Sequence, residues 1–330
     1  MFISPNIGAA LPLSRVAAAL SAAGEPTRLR VLALLAKGEM AVGELASALD
    51  QSQPRVSRHL KLMTEAGLIE RLPEGASVFY RLALEPGAER VLAEAALAVL
   101  NGDDAVVRRD GERLAAIHAA RDEAAEAYFA RNAADWARVR ALHLPEADIE
   151  AAMLEAAGPG PFDLMVDVGV GAGRMIQLFA DRVRRAEGFD TSRQMLAMAR
   201  AALDELPEAK AAVRFGDVYA PPTPPGAADL VTIHQVLHYL AEPARAIEEA
   251  ARLLKPGGRL VIADFAPHRL EFLRSEHAHR RLGFADADIE FWCAAAGVEH
   301  VRVRALAPSS DAEGRLVVKI WAGERAVRES

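Results

Sequence analysis

Asp167-Val168-Gly169-Val170-Gly171-Ala172-Gly173-Arg174 follows the apolar run Leu164 to Val168 and precedes a helix expected from about Met175. Glycines after a strand permit a tight turn and let backbone approach a ligand at the strand's carboxyl edge. The spacing is G-x-G-x-G, with Arg174 where a dinucleotide fingerprint has its third glycine, so a nicotinamide-type loop is not what it spells. Asp190 ends the next apolar run, about 20 residues on, where an acid can accept hydrogen bonds from ribose hydroxyls. Asp217, in Gly216-Asp217-Val218, could accept from an adenine exocyclic amine while Val218 packs on the ring. Taken singly, each carboxylate could equally be a turn or helix cap. The ordered set carries the ligand-binding expectation.

A second group is Gln53, Arg55, Ser57, Arg58 and Lys61. Val56, Leu60 and Met63 recur at i, i+4 and i+7 and form a buried helical stripe, which leaves the polar five free to meet phosphates and base edges. The net charge of -7 would argue against nucleic acid, but the first hundred residues hold as many bases as acids, and no acid lies between Asp50 and Glu65. The bland alternative for this stretch is a small helical bundle with a solvated charged face.

Histidines make a third group: His234 and His238 after the fourth apolar run, His268 after the fifth, then His277 and His279. A histidine can take a proton near neutral pH, or merely cap and pack. We read His268 as a substrate-facing candidate. His277 and His279, on an expected helix, would not share a face, so no metal site is expected. The single cysteine, Cys293, permits neither an internal disulfide nor a thiolate cluster within one chain.

These groups need elements to hold them. Helices are expected over Thr27 to Ala36, entered at Pro26 and ended by Gly38, and over Val42 to Leu49. The polar turn Asp50-Gln51-Ser52 follows, with Ser52 as N-cap and Pro54 in the first turn of a helix running to about Ala66. Leu68 to Leu72 and Val78 to Leu82 alternate around the turn Pro73 to Ser77 as a hairpin. Two helices, a polar turn, a basic helix and a hairpin describe a winged helix-turn-helix. Ala9 to Ala23 reads as an amphipathic helix and not as a signal peptide, since no basic region precedes it and Arg15 lies inside it. No run approaches the roughly 20 apolar residues of a membrane span, so no membrane partner and a soluble, cytoplasmic protein are expected.

From Phe162, short apolar runs alternate with helical segments: Leu164 to Val168, Ala186 to Phe189, Ala212 to Phe215, Leu230 to Ile233, Arg259 to Ala263 and Val317 to Ala322. That is the pattern of a doubly wound α/β sheet, with Lys255-Pro256-Gly257-Gly258 as a turn before the fifth strand. The expected organisation is a mainly α winged helix-turn-helix over 1–102, a helical linker or pocket lid over 103–160, and a Rossmann-like domain over 161–330. Tyr128, Phe129 and Trp136 in the linker suit burial on one helical face; Tyr128 is also taken as a pocket residue.

Two resemblances follow. Glu25-Pro26-Thr27-Arg28-Leu29-Arg30-Val31-Leu32, Gln53-Pro54-Arg55-Val56-Ser57-Arg58-His59-Leu60, Gly67-Leu68-Ile69 and Phe79-Tyr80-Arg81-Leu82 resemble the arsenic-repressor (ArsR) family of bacterial regulators. That resemblance implies a symmetric homodimer on a palindromic double-stranded DNA operator, joined through the first helix and the helix near Ala88 to Leu100. Metal-sensing thiolates have no counterpart at Met40-Ala41-Val42-Gly43-Glu44, and the wing tip carries Pro73 and Glu74 where many relatives are basic.

The set from Phe162 to Ala322 resembles the class I S-adenosylmethionine-dependent methyltransferases, especially those acting on small molecules. The resemblance implies that Asp167, Gly169, Gly171 and Gly173 surround the methionine part of S-adenosylmethionine or S-adenosylhomocysteine, that Asp190 holds ribose and that Asp217 and Val218 meet adenine. His234 falls where relatives line the methyl-transfer centre, and His234 and His238 are the candidate catalytic bases. Arsenic methylation is rejected, since enzymes of that kind hold arsenite with several cysteines. A DNA-binding regulator that methylates a small acceptor is expected. The alternative is a catalytically silent repressor of methionine-cycle genes that senses donor or product.

Overall fold

A computed structural model describes residues 11–74, 77–83, 88–132, 146–203, 206, 210–306 and 316–327. The chain divides into two compact units, Met1–Asp122 and Glu123–Ser330.

The first unit holds helices α1 (Leu13–Ala23), α2 (Pro26–Leu35), α3 (Val42–Leu49), α4 (Gln53–Glu65) and α5 (Ala88–Ala98), and the start of α6 (Ala105–Asn132). Its strands are β1 (Met40–Ala41), β2 (Ile69–Glu74) and β3 (Ser77–Leu82). Pro26 stands at the first helical position of α2, and the Glu25 carboxylate caps that helix by accepting from the Arg28 amide at 3.0 Å. Glu44 accepts from the Ala41 amide at 2.8 Å to start α3, and Asp50 ends it in the left-handed region at φ 56. Ser52 occupies the expected N-cap of α4, but its hydroxyl makes no capping bond; its carbonyl receives the Arg55 and Val56 amides at 3.0 and 3.1 Å instead.

The wing pairs antiparallel from Ile69↔Leu82 to Glu74↔Ser77, so both strands reach closer to the tip than their alternation suggested. Strand β1, too short to be read from sequence, adds a third strand through Met40↔Tyr80. Leu32, Leu45, Val56, Leu60, Met63 and Leu68 are fully buried in one core, which Leu114 of α6 joins at 3% exposure. The first turns of the expected linker are therefore packed into this unit.

The second unit carries a seven-stranded sheet ordered β6-β5-β4-β7-β8-β10-β9. These strands are β4 (Phe162–Val168), β5 (Val183–Asp190), β6 (Ala211–Phe215), β7 (Ala228–His234), β8 (Leu254–Phe265), β9 (Val298–Leu306) and β10 (Val318–Arg325). The first five are parallel, while β10 runs antiparallel to β8 and β9. This is a Rossmann-like, doubly wound sheet. Its helices are α7 (Glu146–Ala157), α8 (Arg174–Phe179), α9 (Arg193–Leu203), α10 (Pro243–Leu253), α11 (Phe272–Glu276) and α12 (Asp286–Ala295).

Successive residues of β4 face opposite ways. Met165 packs with Met153, Phe179 and Leu196 of α7 to α9, and Val166 and Val168 pack with Ile247 and Trp292 of α10 and α12. Two details differ from expectation. Lys255 to Gly258 sit within β8 as a bulge opposite Asp229, between the pairs Ala228↔Leu254 and Leu230↔Arg259. Helix α11 stops at Glu276, so His277 to Arg281 are not helical, and Ala278 takes φ 57.

Candidate functional site

In the first unit, α4 presents Gln53, Arg55, Ser57, Arg58 and Lys61 on its exposed face, while Val56, Leu60 and Met63 are buried beneath. Lys61 lies 3.8 Å from Glu65, one turn on, and both are exposed. Arg81 of the wing is buried and spent on Glu70 at 2.9 Å and Glu39 at 3.1 Å, leaving exposed Arg71 as the wing's outward cation. A cationic helix face of this kind can lie against phosphates and base edges.

In the second unit, chain order reverses at β4, with β5 on one side and β7 on the other. Ligands of open α/β sheets bind at the carboxyl ends of strands at such a reversal. Gly169, Gly171 and Gly173 take φ of 70, 50 and 87 there, in the region L side chains rarely adopt. A Cβ at Gly169 would lie 2.6 Å from a Val236 methyl, whereas one at Gly171 would meet nothing within 4 Å. Gly169 is thus required by packing, and Gly171 leaves open backbone for a ligand.

The loop is fastened to its neighbours. The Gly169 and Val170 amides donate to the Phe189 carbonyl at 3.0 Å, and the Gly171 amide donates to Asp190 Oδ2 at 3.0 Å. Asp190 Oδ1 accepts from the Ser192 amide at 2.8 Å, and the Asp190 carbonyl receives the Gly216 amide at 3.1 Å. Asp167, the glycine loop, Asp190 and Gly216-Asp217 therefore gather at the ends of three adjacent strands. Asp217 is exposed, with Oδ1 accepting from the Tyr219 amide at 2.9 Å; Val218 is buried beside Phe189. Arg174 opens α8 and forks onto both oxygens of Glu150 at 2.5 and 2.7 Å, which ties α7 to the loop.

Charge at this site favours a cation. Asp167 is 2% exposed, and Thr232 Oγ1 donates to its Oδ1 at 2.6 Å. Burial pushes its carboxyl up to about 7, against the pull of Thr232 and with a further push from Asp190. Burial also raises Asp190, against the pull of the Ser192 and Gly171 amides.

His234 ends β7, half-buried, and Gln235 beyond it takes φ 55 while its amide donates to the Ala263 carbonyl at 2.7 Å. This turn delivers Val236 onto Gly169, so the His234 segment and the glycine loop are neighbours. His238 is 1% exposed, and its Nδ1 lies 2.8 Å from Oδ1 of Asp264, which is fully buried. The His238 and Phe265 amides also donate to that carboxylate, at 3.3 and 2.8 Å. Its ring packs at a tilt against Tyr239, Phe265 and His279, with centroids at 4.0, 5.0 and 4.1 Å. His268 is half-buried, and its Nδ1 accepts from the Leu270 amide at 3.3 Å. Tyr128, Phe129 and Trp136 lie outside the residues whose side chains are described.

Asp264, Gln235 and the pairing of Arg174 with Glu150 were not read from sequence, and His279 was weighed only as a metal ligand. Asp264 left a trace as an acid closing the apolar run Leu260 to Ala263.

Residues 25–71 match the family described as "Bacterial regulatory protein, arsR family", and residues 166–262 match "Methyltransferase domain". The chain is 40% identical to the biofilm growth-associated repressor of Agrobacterium fabrum, over 24% of this chain and 67% of the repressor. It is 38% identical to the demethylmenaquinone methyltransferase of Thermus thermophilus, over 31% of this chain and 47% of that enzyme. A solved complex between the Haloferax volcanii Trm112 methyltransferase activator and a methyltransferase is similar at a TM-score of 0.50 and 21% identity. It covers 62% of this chain and 98% of the solved one, and shows the fold alone. Other curated relatives are spanned over 34% to 50% of their length. Among the described residues, no helix is long and apolar enough to cross a membrane.

Proposed function

Because this chain belongs to the arsR family of bacterial regulatory proteins and carries a methyltransferase domain, we propose that it is a cytoplasmic, homodimeric regulator of a palindromic operator that also methylates a small molecule. The observation that carries the second half is the gathering of the positive-φ glycines, Asp167 and Asp190 at the strand-order reversal. These residues fit S-adenosylmethionine or S-adenosylhomocysteine: Gly171 has open backbone, and the buried Asp167 and half-buried Asp190 carboxyls suit the ammonium and ribose of such a ligand. Exposed Leu13 and Leu20 on α1 and Val99 after α5 support self-association.

In this reading Asp190 holds the ribose, Asp217 and Val218 meet the adenine, and Asp167 and the three glycines surround the methionine part. The bound donor would supply an electrophilic methyl carbon on a sulfonium. His234, on the turn that packs on Gly169, orients the acceptor and takes its proton where the acceptor must lose one. No metal is called for. Calorimetric titration with S-adenosylhomocysteine tests the site; absence of binding by the full chain would refute it.

The burial of His238 against Asp264 favours a second reading, in which the domain senses donor or product and does not turn over, acting on methionine-cycle genes. Under it, operator affinity differs between saturating donor and saturating product, typically by about 1 to 3 kcal/mol of coupling. Superimposable anisotropy curves for no ligand, donor and product would eliminate sensing.

A further inference from the structure

We propose that Asp110 and Arg113, which lie on α6 outside the winged fold, are positioning residues for the DNA-reading helix α4, so that the start of α6 sets DNA affinity. The proposal rests on the DNA-binding reading above.

Asp110 is 2% exposed and gives both oxygens to Arg30, with Nε donating to Oδ2 at 2.6 Å and Nη2 to Oδ1 at 2.7 Å. The same Nη2 donates to the carbonyl of Leu49, the last residue of α3, at 3.0 Å. One turn along α6, Arg113 Nη2 donates to Oδ2 of Asp50 at 2.9 Å. Asp50 is the left-handed cap of α3, at a φ that a non-glycine residue holds only when its surroundings insist. Leu49 is thus held by Arg30 of α2, which Asp110 braces from α6, and Asp50 is held from α6 directly. Asp50, Gln51 and Ser52 are the whole turn between α3 and α4, so whatever orients Asp50 orients α4.

The grip has a firm base. Asp104 caps α6 through the Val106 amide at 2.8 Å, and Leu114, one turn after Asp110, is buried in the first unit's core. A forked guanidinium–carboxylate pair fixes direction as well as distance, and burial strengthens it. Neither Asp110 nor Arg113 belongs to α4, whose exposed face meets the DNA in the proposed function. Their effect is on where that face points.

The experiment uses the full chain and a duplex that the wild type enriches from a random-sequence pool. Anisotropy titrations at several salt concentrations compare wild type, Asp110→Asn, Arg113→Ala and the swap Arg30→Asp with Asp110→Arg, with circular dichroism confirming each fold at the assay temperature. Arg113→Ala should bind about 3-fold more weakly and Asp110→Asn about 10-fold, within the range for residues that transmit coupling without touching ligand. The slope of affinity against salt should stay at the wild-type value, because no phosphate contact is lost, and the swap should recover part of the Asp110→Asn deficit. Wild-type affinity in the folded variants overturns the proposal, since a clamp that serves only stability predicts that result. A reduced salt slope overturns it too, by making Arg113 a phosphate contact. Arg113 is partly exposed, so its variant decides the matter even if Asp110→Asn unfolds. Failure of the wild type to enrich any duplex would instead remove the DNA-binding reading, and this proposal with it.

Discussion

Asp190 reaches back under the glycine loop, its Oδ2 taking the Gly171 amide at 3.0 Å, so the residue proposed to hold the ribose also holds the loop that faces the methionine part. Asp190→Ala should therefore weaken S-adenosylhomocysteine binding by roughly 1.5 to 3 kcal/mol, the range for hydrogen bonds to a charged group. The first unit should stay folded and bind DNA as before. Calorimetric titration checks the affinity; an unchanged Kd removes Asp190 from the site.

Asp167 makes both stability and binding depend on pH. Its folded value of about 7 lies above the ordinary 3.8, so the folded state holds the proton more tightly than the unfolded chain does. The stability it contributes is complete below about pH 4 and is lost as pH rises through about 7, a matter of a few kcal/mol. Bound ammonium reverses that preference by favouring the carboxylate. Binding of S-adenosylhomocysteine should then release protons near pH 6.5 and weaken as pH falls further. Calorimetry in buffers of different ionisation enthalpy measures the release, and none would mean that Asp167 does not face the ligand's cation.

Gly169→Ala combines a positive φ with a methyl 2.6 Å from Val236. It should destabilise the second unit by about 2 kcal/mol or more. Adding Val236→Ala should restore only part, because relieving the clash leaves the backbone strain. Thermal unfolding of the two variants separates these contributions; full recovery would show that φ costs nothing there.

Arg55→Ala with Arg58→Ala should reduce DNA binding. If both meet phosphate only, affinity falls evenly across sequences and the salt slope lessens by about one unit per residue; a base contact instead relaxes preference at one position. Gel-shift titration at several salt concentrations distinguishes these. Undiminished binding by the double variant would mean that another surface reads the DNA.

Asp264→Ala leaves His238 buried without its partner, so a loss of about 3 kcal/mol in the second unit's stability is expected. Denaturant unfolding measures it. A loss under about 1 kcal/mol would show that the pair contributes little.

What sequence by itself determined is what depends on neighbours along the chain. Helix α3 has its expected bounds because Val42, Leu45 and Leu49 recur at helical spacing, and α4 shows in the stripe Val56, Leu60, Met63 beneath a basic face. The glycine loop and Asp190 are legible for the same reason: a strand, a turn that needs positive φ and an acid at the next strand's end are all local signals. Tertiary structure alone decided the rest. Strand β9 escaped notice although Val301-Arg302-Val303-Arg304-Ala305 alternates, because at the sheet edge most of Val298–Leu306 is exposed and carries no apolar run. Helix α7 looked like part of a linker until Met153 and Ala157 were seen in the second unit's core. Asp110 meets Arg30 across 80 positions of sequence, and Asp264 meets His238 across 26. No periodicity encodes such pairs, because a carboxylate's partner is set by which elements the sheet and the helix packing bring together, and only then by charge and burial.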